Sequence, residues 1–110
     1  MTKATLVRLE GAVAPNAETI HGALHFCRTA ADDARAHARE DGCSDELSRR
    51  ISGHAFLANL PELTNIGSVQ AYIACVALAL SLGYVSGREA RLCLHAAKLA
   101  LAAMHQGGAR

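Results

Sequence analysis

Tryptophan is absent from this 110-residue chain, which carries only two phenylalanines and two tyrosines. A core must therefore be assembled from Ala, Leu, Val and Ile, whose size lets helices approach closely, and alanine is also the strongest helix former. An excess of charge of one sign is missing too. Ten acidic residues stand against eleven Lys and Arg, for a net charge of +1, which removes the basic excess that usually marks a nucleic-acid-binding domain. Low charge together with 51% apolar content argues against intrinsic disorder. There is no C-x-x-C pair, no H-E-x-x-H and no glycine-rich phosphate loop between a strand and a helix, so the chain carries no motif for metal-assisted or phosphoryl chemistry. The length fits one domain and leaves no room for a second, catalytic one.

Cys27, Cys43, Cys75 and Cys93 are widely spaced, and three of them fall in apolar, helical stretches. There a reduced cysteine behaves as a small hydrophobe. Lys3, Arg8 and Glu10 interrupt the apolar residues of the N-terminus, which therefore lacks the continuous apolar centre of a secretory signal. No charge occurs between Glu62 and Arg88, but Asn65, Ser68, Gln70 and Ser81 dilute that interval. Its dense apolar part, Val69 to Leu82, has the length of a buried core helix rather than of a membrane span. A reduced, cytoplasmic protein with no membrane partner is expected. Its abundance of Ala and Arg over Lys suggests a bacterial or phage source.

Periodicity predicts an all-α fold. Residues 1–14 read as an extended or flexible arm, because the β-like run Thr5–Glu10 has no second strand to pair with. Residues 15–106 read as one helical domain and 107–110 as a flexible tail. Pro15 and Asn16 announce a first helix. Its seam is Ile20, Leu24, Cys27, Ala31, Ala34 and Ala38, at spacings of 4, 3, 4, 3 and 4. A polar stripe of His21, His25, Arg28, Asp32, Arg35 and Arg39 runs beside it. The alanine half of the seam buries so little area per residue that it must contact something closely.

Asp41-Gly42 ends this helix, and Ser44 caps a second one with Leu47, Ile51, Ala55 and Ala58 on one side and Phe56 and Leu57 broadening that face. Asn59 and Pro61 stop it. A third helix starts at Asn65 or Ser68 and runs to Leu82, where Gly83 supplies a left-handed cap. Ser86 and Glu89 form a capping box for a fourth, lasting to about Gln106. The expected architecture is a small four-helix bundle with a C-terminal αα-hairpin.

Helix three is apolar on every side, which predicts burial on every side. Yet so small a domain has few partners to cover it. The excess marks an association surface, for which Val69, Ile73, Ala74, Val76, Leu78, Leu80, Leu92 and Leu99 are the candidates. The expected role is non-enzymatic: an adaptor, regulator or inhibitor that binds another protein, with a homodimer as part of the expectation and no cofactor.

Two alternatives come from particular residues. Ala79 to Gly83 followed by Ser86 resembles a helix-turn-helix, in which Arg88, Arg91 and Lys98 would contact DNA. The Tyr84–Gly87 connection is longer than that motif uses. His21 and His25, spaced i and i+4, project from one side of a helix and could ligate one metal ion, with His54, Cys93 or His95 as a third ligand. Without a second tight cluster, they read more simply as solvent-facing residues of an amphipathic stripe.

Overall fold

Each helix begins where a short side chain accepts a backbone N–H that the helix leaves unpaired. The computed structural model describes residues 19–108. Within them lie α1 (Ile20–Glu40), α2 (Asp45–Ala58), α3 (Ile66–Ser81) and α4 (Gly87–Gly108), with no strand among the described residues. The extended arm expected at 1–14 and the start signal at Pro15 and Asn16 lie outside them. So do Ala109 and Arg110 of the expected tail.

The hydroxyl of Thr19 accepts from Gly22 N–H at 3.0 Å and that of Ser44 from Leu47 N–H at 3.1 Å. Asn65 rather than Ser68 is the cap of α3. Its side chain accepts from Ser68 N–H at 2.8 Å while Ser68 Oγ accepts from Asn65 N–H at 3.0 Å. Ser86 and Glu89 close the expected box at the start of α4, with Glu89 N–H donating to Ser86 Oγ at 3.0 Å and Ser86 N–H to Glu89 Oε1 at 2.8 Å. The fourth helix continues to Gly108, two residues beyond the end expected at Gln106.

Two glycines terminate helices for a conformational reason. Gly42 and Gly83 have φ of +84° and +80°, a region open to glycine and costly for residues with a Cβ. At the end of α1, Cys43 N–H reaches back to Ala38 O and Gly42 N–H to Arg39 O, both at 3.0 Å. Tyr84 and Gly83 repeat the pattern on Ala79 and Leu80. This paired arrangement satisfies the last carbonyls of each helix.

Packing departs from the expected pattern in α2. The buried residues are Ser48, Ser52, Gly53 and Phe56, so of the expected apolar face Phe56 alone is fully buried, while Leu47 and Ala58 are exposed. The cause is the alanine seam of α1, where Ala23, Cys27, Ala31 and Ala38 are buried. Opposite such short side chains, small serines allow closer helix approach than Leu or Ile would. Ser52 Oγ, fully buried, donates to Ala31 O of α1 at 3.0 Å, which removes the cost of burying it. Leu24 and Ala34 are half-buried, whereas Ile20 is exposed.

Among the described helices, α1 packs on α2 and α3, α3 carries a few contacts to α2, and α4 packs on α3 alone. The Cα positions extend over 54 × 35 × 16 Å, the thinnest dimension being about that of two stacked helices, roughly 13–15 Å between outer Cα atoms. Helix α3 is covered on only part of its circumference. Val69, Ala71, Cys75, Val76 and Ala79 are buried, whereas Ile66, Ile73 and Leu80 are exposed.

Gly53 sets the spacing between α2 and the turn joining α3 to α4. A Cβ built there would stand 2.9 Å from Cδ1 of Tyr84. The ring is held by Phe56, with centroids 5.5 Å apart, and by a hydroxyl–hydroxyl hydrogen bond of 3.1 Å to Ser52. Gly53→Ala should therefore miss the roughly 1 kcal/mol that helix propensity offers. It should instead destabilise the fold by about 1–2 kcal/mol through overpacking, measured by urea denaturation. A stabilised variant would show that Tyr84 is free to move aside.

Candidate functional site

The exposed apolar residues of α3 and α4 form the most extensive candidate surface. Exposure is 59% at Ile66, 36% at Ile73 and 45% at Leu80 on α3, and 64% at Leu92 and 57% at Leu99 on α4. Leu82 and Leu94 are exposed as well. On α4 the inner residues Ala90, Cys93, Ala97 and Met104 recur at helical spacing and are buried or half-buried. Leu92, Ala96, Leu99 and Ala103 form a second, exposed stripe with the same period. A helix with one flanking partner and two apolar stripes leaves one stripe in water.

The eight expected interface residues divide into two groups. Ile73, Leu80, Leu92 and Leu99 lie on the surface. Val69 and Val76 are interior residues and contribute no surface, a correction that follows from the position of α3 between α1 and α4. Leu78 is half-buried and packs against the core, and Ala74 is half-buried as well. The sequence reading left out Ile66, the most exposed apolar residue of α3. The signal was present in the seven-residue spacing of Ile66, Ile73 and Leu80.

Arg88, Arg91 and Lys98 are all exposed on α4. His21 and His25 are exposed on α1, His54 and His95 are exposed elsewhere, and Cys93 is half-buried. Among the described residues, no three His, Cys, Asp or Glu side chains converge on a point where a metal ion could be held. No described helix is long and apolar enough to cross a membrane.

Two thiol environments occupy the interior. Cys27 and Cys75 are completely buried, with Cys27 Sγ donating to Asn59 O at 3.2 Å. Hydrogen bonding to Cys75, followed by burial, pushes the Cys27 thiol far above its usual range. The hydroxyl of Tyr72 on α3 is pushed up to about 12 by burial and by its hydrogen bond with Cys93 on α4. Ionisation is thus suppressed at Cys27 and Tyr72, and both serve packing. At the surface, the ring of His37 meets Asp33 O at 2.9 Å; that contact, aided by Glu40, raises its pKa above the usual imidazole value. A protonated ring here would lie near the C-terminal end of α1, where the helix dipole favours positive charge.

An open groove of about 900 Å³ lies between α2 and the α3–α4 turn, with Ile51, Leu57, Tyr84, Arg50, His54 and Glu89 among its lining residues. Arg49 at its edge donates to Leu82 O at 2.9 Å, tying the end of α3 to α2. Glu89 is engaged in the cap of α4. These two charged groups are therefore committed to structure. Comparison of the chain with protein-family models, with curated proteins and with solved structures found no match.

All four cysteines are free thiols, and burial separates them into two pairs. A thiol-specific reagent should label Cys43 and Cys93 in the native protein, and Cys27 and Cys75 only after denaturation. Labelling of all four at one rate would place the α1–α3 seam in exchange with solvent.

Proposed function

We propose that this protein acts by binding another macromolecule through the apolar surface of its α3–α4 hairpin, as a cytoplasmic adaptor, regulator or inhibitor rather than as an enzyme. The observation that carries this reading is the exposure of Leu92 and Leu99 on a helix that packs against a single neighbour among the described helices. Large apolar side chains aligned along one helix face, instead of scattered singly, favour docking of a partner. Helix α4 is capped and continuous, so it presents the stripe as a rigid ridge. Little conformational entropy is then lost on binding.

A second reading has one observation in its favour. Arg88, Arg91 and Lys98 are exposed and fall within about 80° of arc on α4, at roughly 100° per residue. This face could follow a phosphate backbone. In that case Arg88→Ala/Arg91→Ala should weaken binding to genomic DNA fragments and lower the salt slope by about 2. Absence of binding at low salt would eliminate this reading.

The principal test is Leu92→Asp/Leu99→Asp. Exposed substitutions cost roughly 0.5 kcal/mol each, so helicity by circular dichroism should persist with a small loss of melting temperature. Partners cross-linked to the native chain in its cell should be lost with the variant. Collapse of helicity would place the leucines in a core, and cross-linked partners that survive the substitutions would place recognition elsewhere.

A further inference from the structure

We propose that the exposed stripe of α3 pairs with the same stripe of a second copy of this chain, antiparallel, about a twofold axis at Ile73. The proposal rests on reading the hairpin surface as an interface, and assigns one part of that surface its occupant. Ile66, Gln70, Ile73, Ala77 and Leu80 recur at spacings of 4, 3, 4 and 3, and all five are exposed. That is the spacing of a helix–helix seam.

The stripe is self-complementary in order and in size. Antiparallel pairing centred on Ile73 sets Ile66 against Leu80 of the second copy and Ile73 against its own counterpart. Gln70, the one long polar side chain in the stripe, meets Ala77 of the second copy, the smallest residue in it. Gln70 can lie across the methyl group and keep its amide at the rim, in water.

Charge, or its absence, favours a second copy over a foreign partner. In a twofold interface a residue near the axis meets its own counterpart, and a charge there would repel itself. No charged residue occurs between Glu62 and Arg88, so nothing on α3 opposes the contact. A foreign partner is commonly selected by complementary charge, and this stripe offers none to read. From Ile66 to Leu80 it extends about 21 Å. A two-helix contact of that length belongs to the lower end of interface sizes, which suits a dimer dissociating in roughly the micromolar range.

Sedimentation equilibrium of the full chain, from about 1 to 500 µM to span that range, tests the proposal. The native chain should pass from monomer to dimer. Ala77→Glu, at an exposed position, should keep its helical circular dichroism and weaken the dimer about tenfold or more. Adding Gln70→Arg to the same chain should restore association, because the introduced guanidinium faces the introduced carboxylate of the other copy. A native chain that stays monomeric throughout overturns self-pairing, and leaves the broader reading to the Leu92→Asp/Leu99→Asp experiment. A dimer that ignores Ala77→Glu but dissociates with Leu92→Asp/Leu99→Asp also overturns it, moving the contact to α4 with the broader reading intact. Weakening by Ala77→Glu without restoration by the second change rejects the antiparallel register.

Discussion

The hydroxyl of Ser52 ties together three parts of the chain. It donates to Ala31 O, fixing α2 against α1, and it bonds Tyr84 OH, fixing the α3–α4 turn against α2. Tyr84 in turn covers Gly53 and meets the Phe56 ring, so the turn seats on α2 in one position. The direction in which α4 leaves the domain follows from that seat. Since α4 has no contact with α1 or α2, its placement depends on this turn and on its packing against α3. A hydroxyl buried in a low-dielectric seam must be satisfied or it costs stability. That requirement makes the Ser52 geometry specific rather than merely compatible.

Small side chains give the core its character. Much of its lining is Ala, Cys and Ser, so each pair of helices meets closely and buries little area per residue. Close packing of that kind needs short-range fit more than volume. It also leaves larger residues without interior positions. Phe56 is the only aromatic residue that is completely buried among those described, while Leu92, Leu94 and Leu99 remain outside. The exposed apolar surface of the hairpin is thus a consequence of the same small-residue seams that hold α1, α2 and α3 together.

Helix number, caps and terminators were legible in the sequence because each depends on local chemistry. Ser44, Gly42, Gly83 and the Ser86–Glu89 box all act within a few residues of their own position. The inner face of α2 was legible only in part. Hydrophobic periodicity selects Leu47, Ile51, Ala55 and Ala58 with Phe56 and Leu57 beside them, whereas the structure buries Ser48 and Ser52 along with Phe56. A serine counts as polar until a carbonyl on another helix receives it, and Ala31 O is 21 residues away. The need of the alanine seam for a close neighbour was visible, but the identity of that neighbour was not. For the candidate surface, four of the residues that periodicity selected, Ile73, Leu80, Leu92 and Leu99, are exposed. Periodicity could not separate Val69 and Val76 from Ile73 and Leu80, because an all-apolar helix has no polar face to mark its outside.

The same ambiguity has a physical meaning for α3. A helix that buries one side in its own domain and exposes an equally apolar side has two surfaces of one chemistry. Its inner side faces α1 and α4 and buries Val69, Ala71, Cys75, Val76 and Ala79. Gln70, exposed on the outer side, distinguishes the two sides where hydrophobicity does not: a rotation of α3 would bury its amide without a partner. The orientation of α3 inside the domain is therefore set by small-residue packing on one side and by a single amide on the other. The outer side, which carries Gln70 as its only hydrogen-bonding side chain between Ile66 and Leu80, stays available because nothing on it competes for the interior.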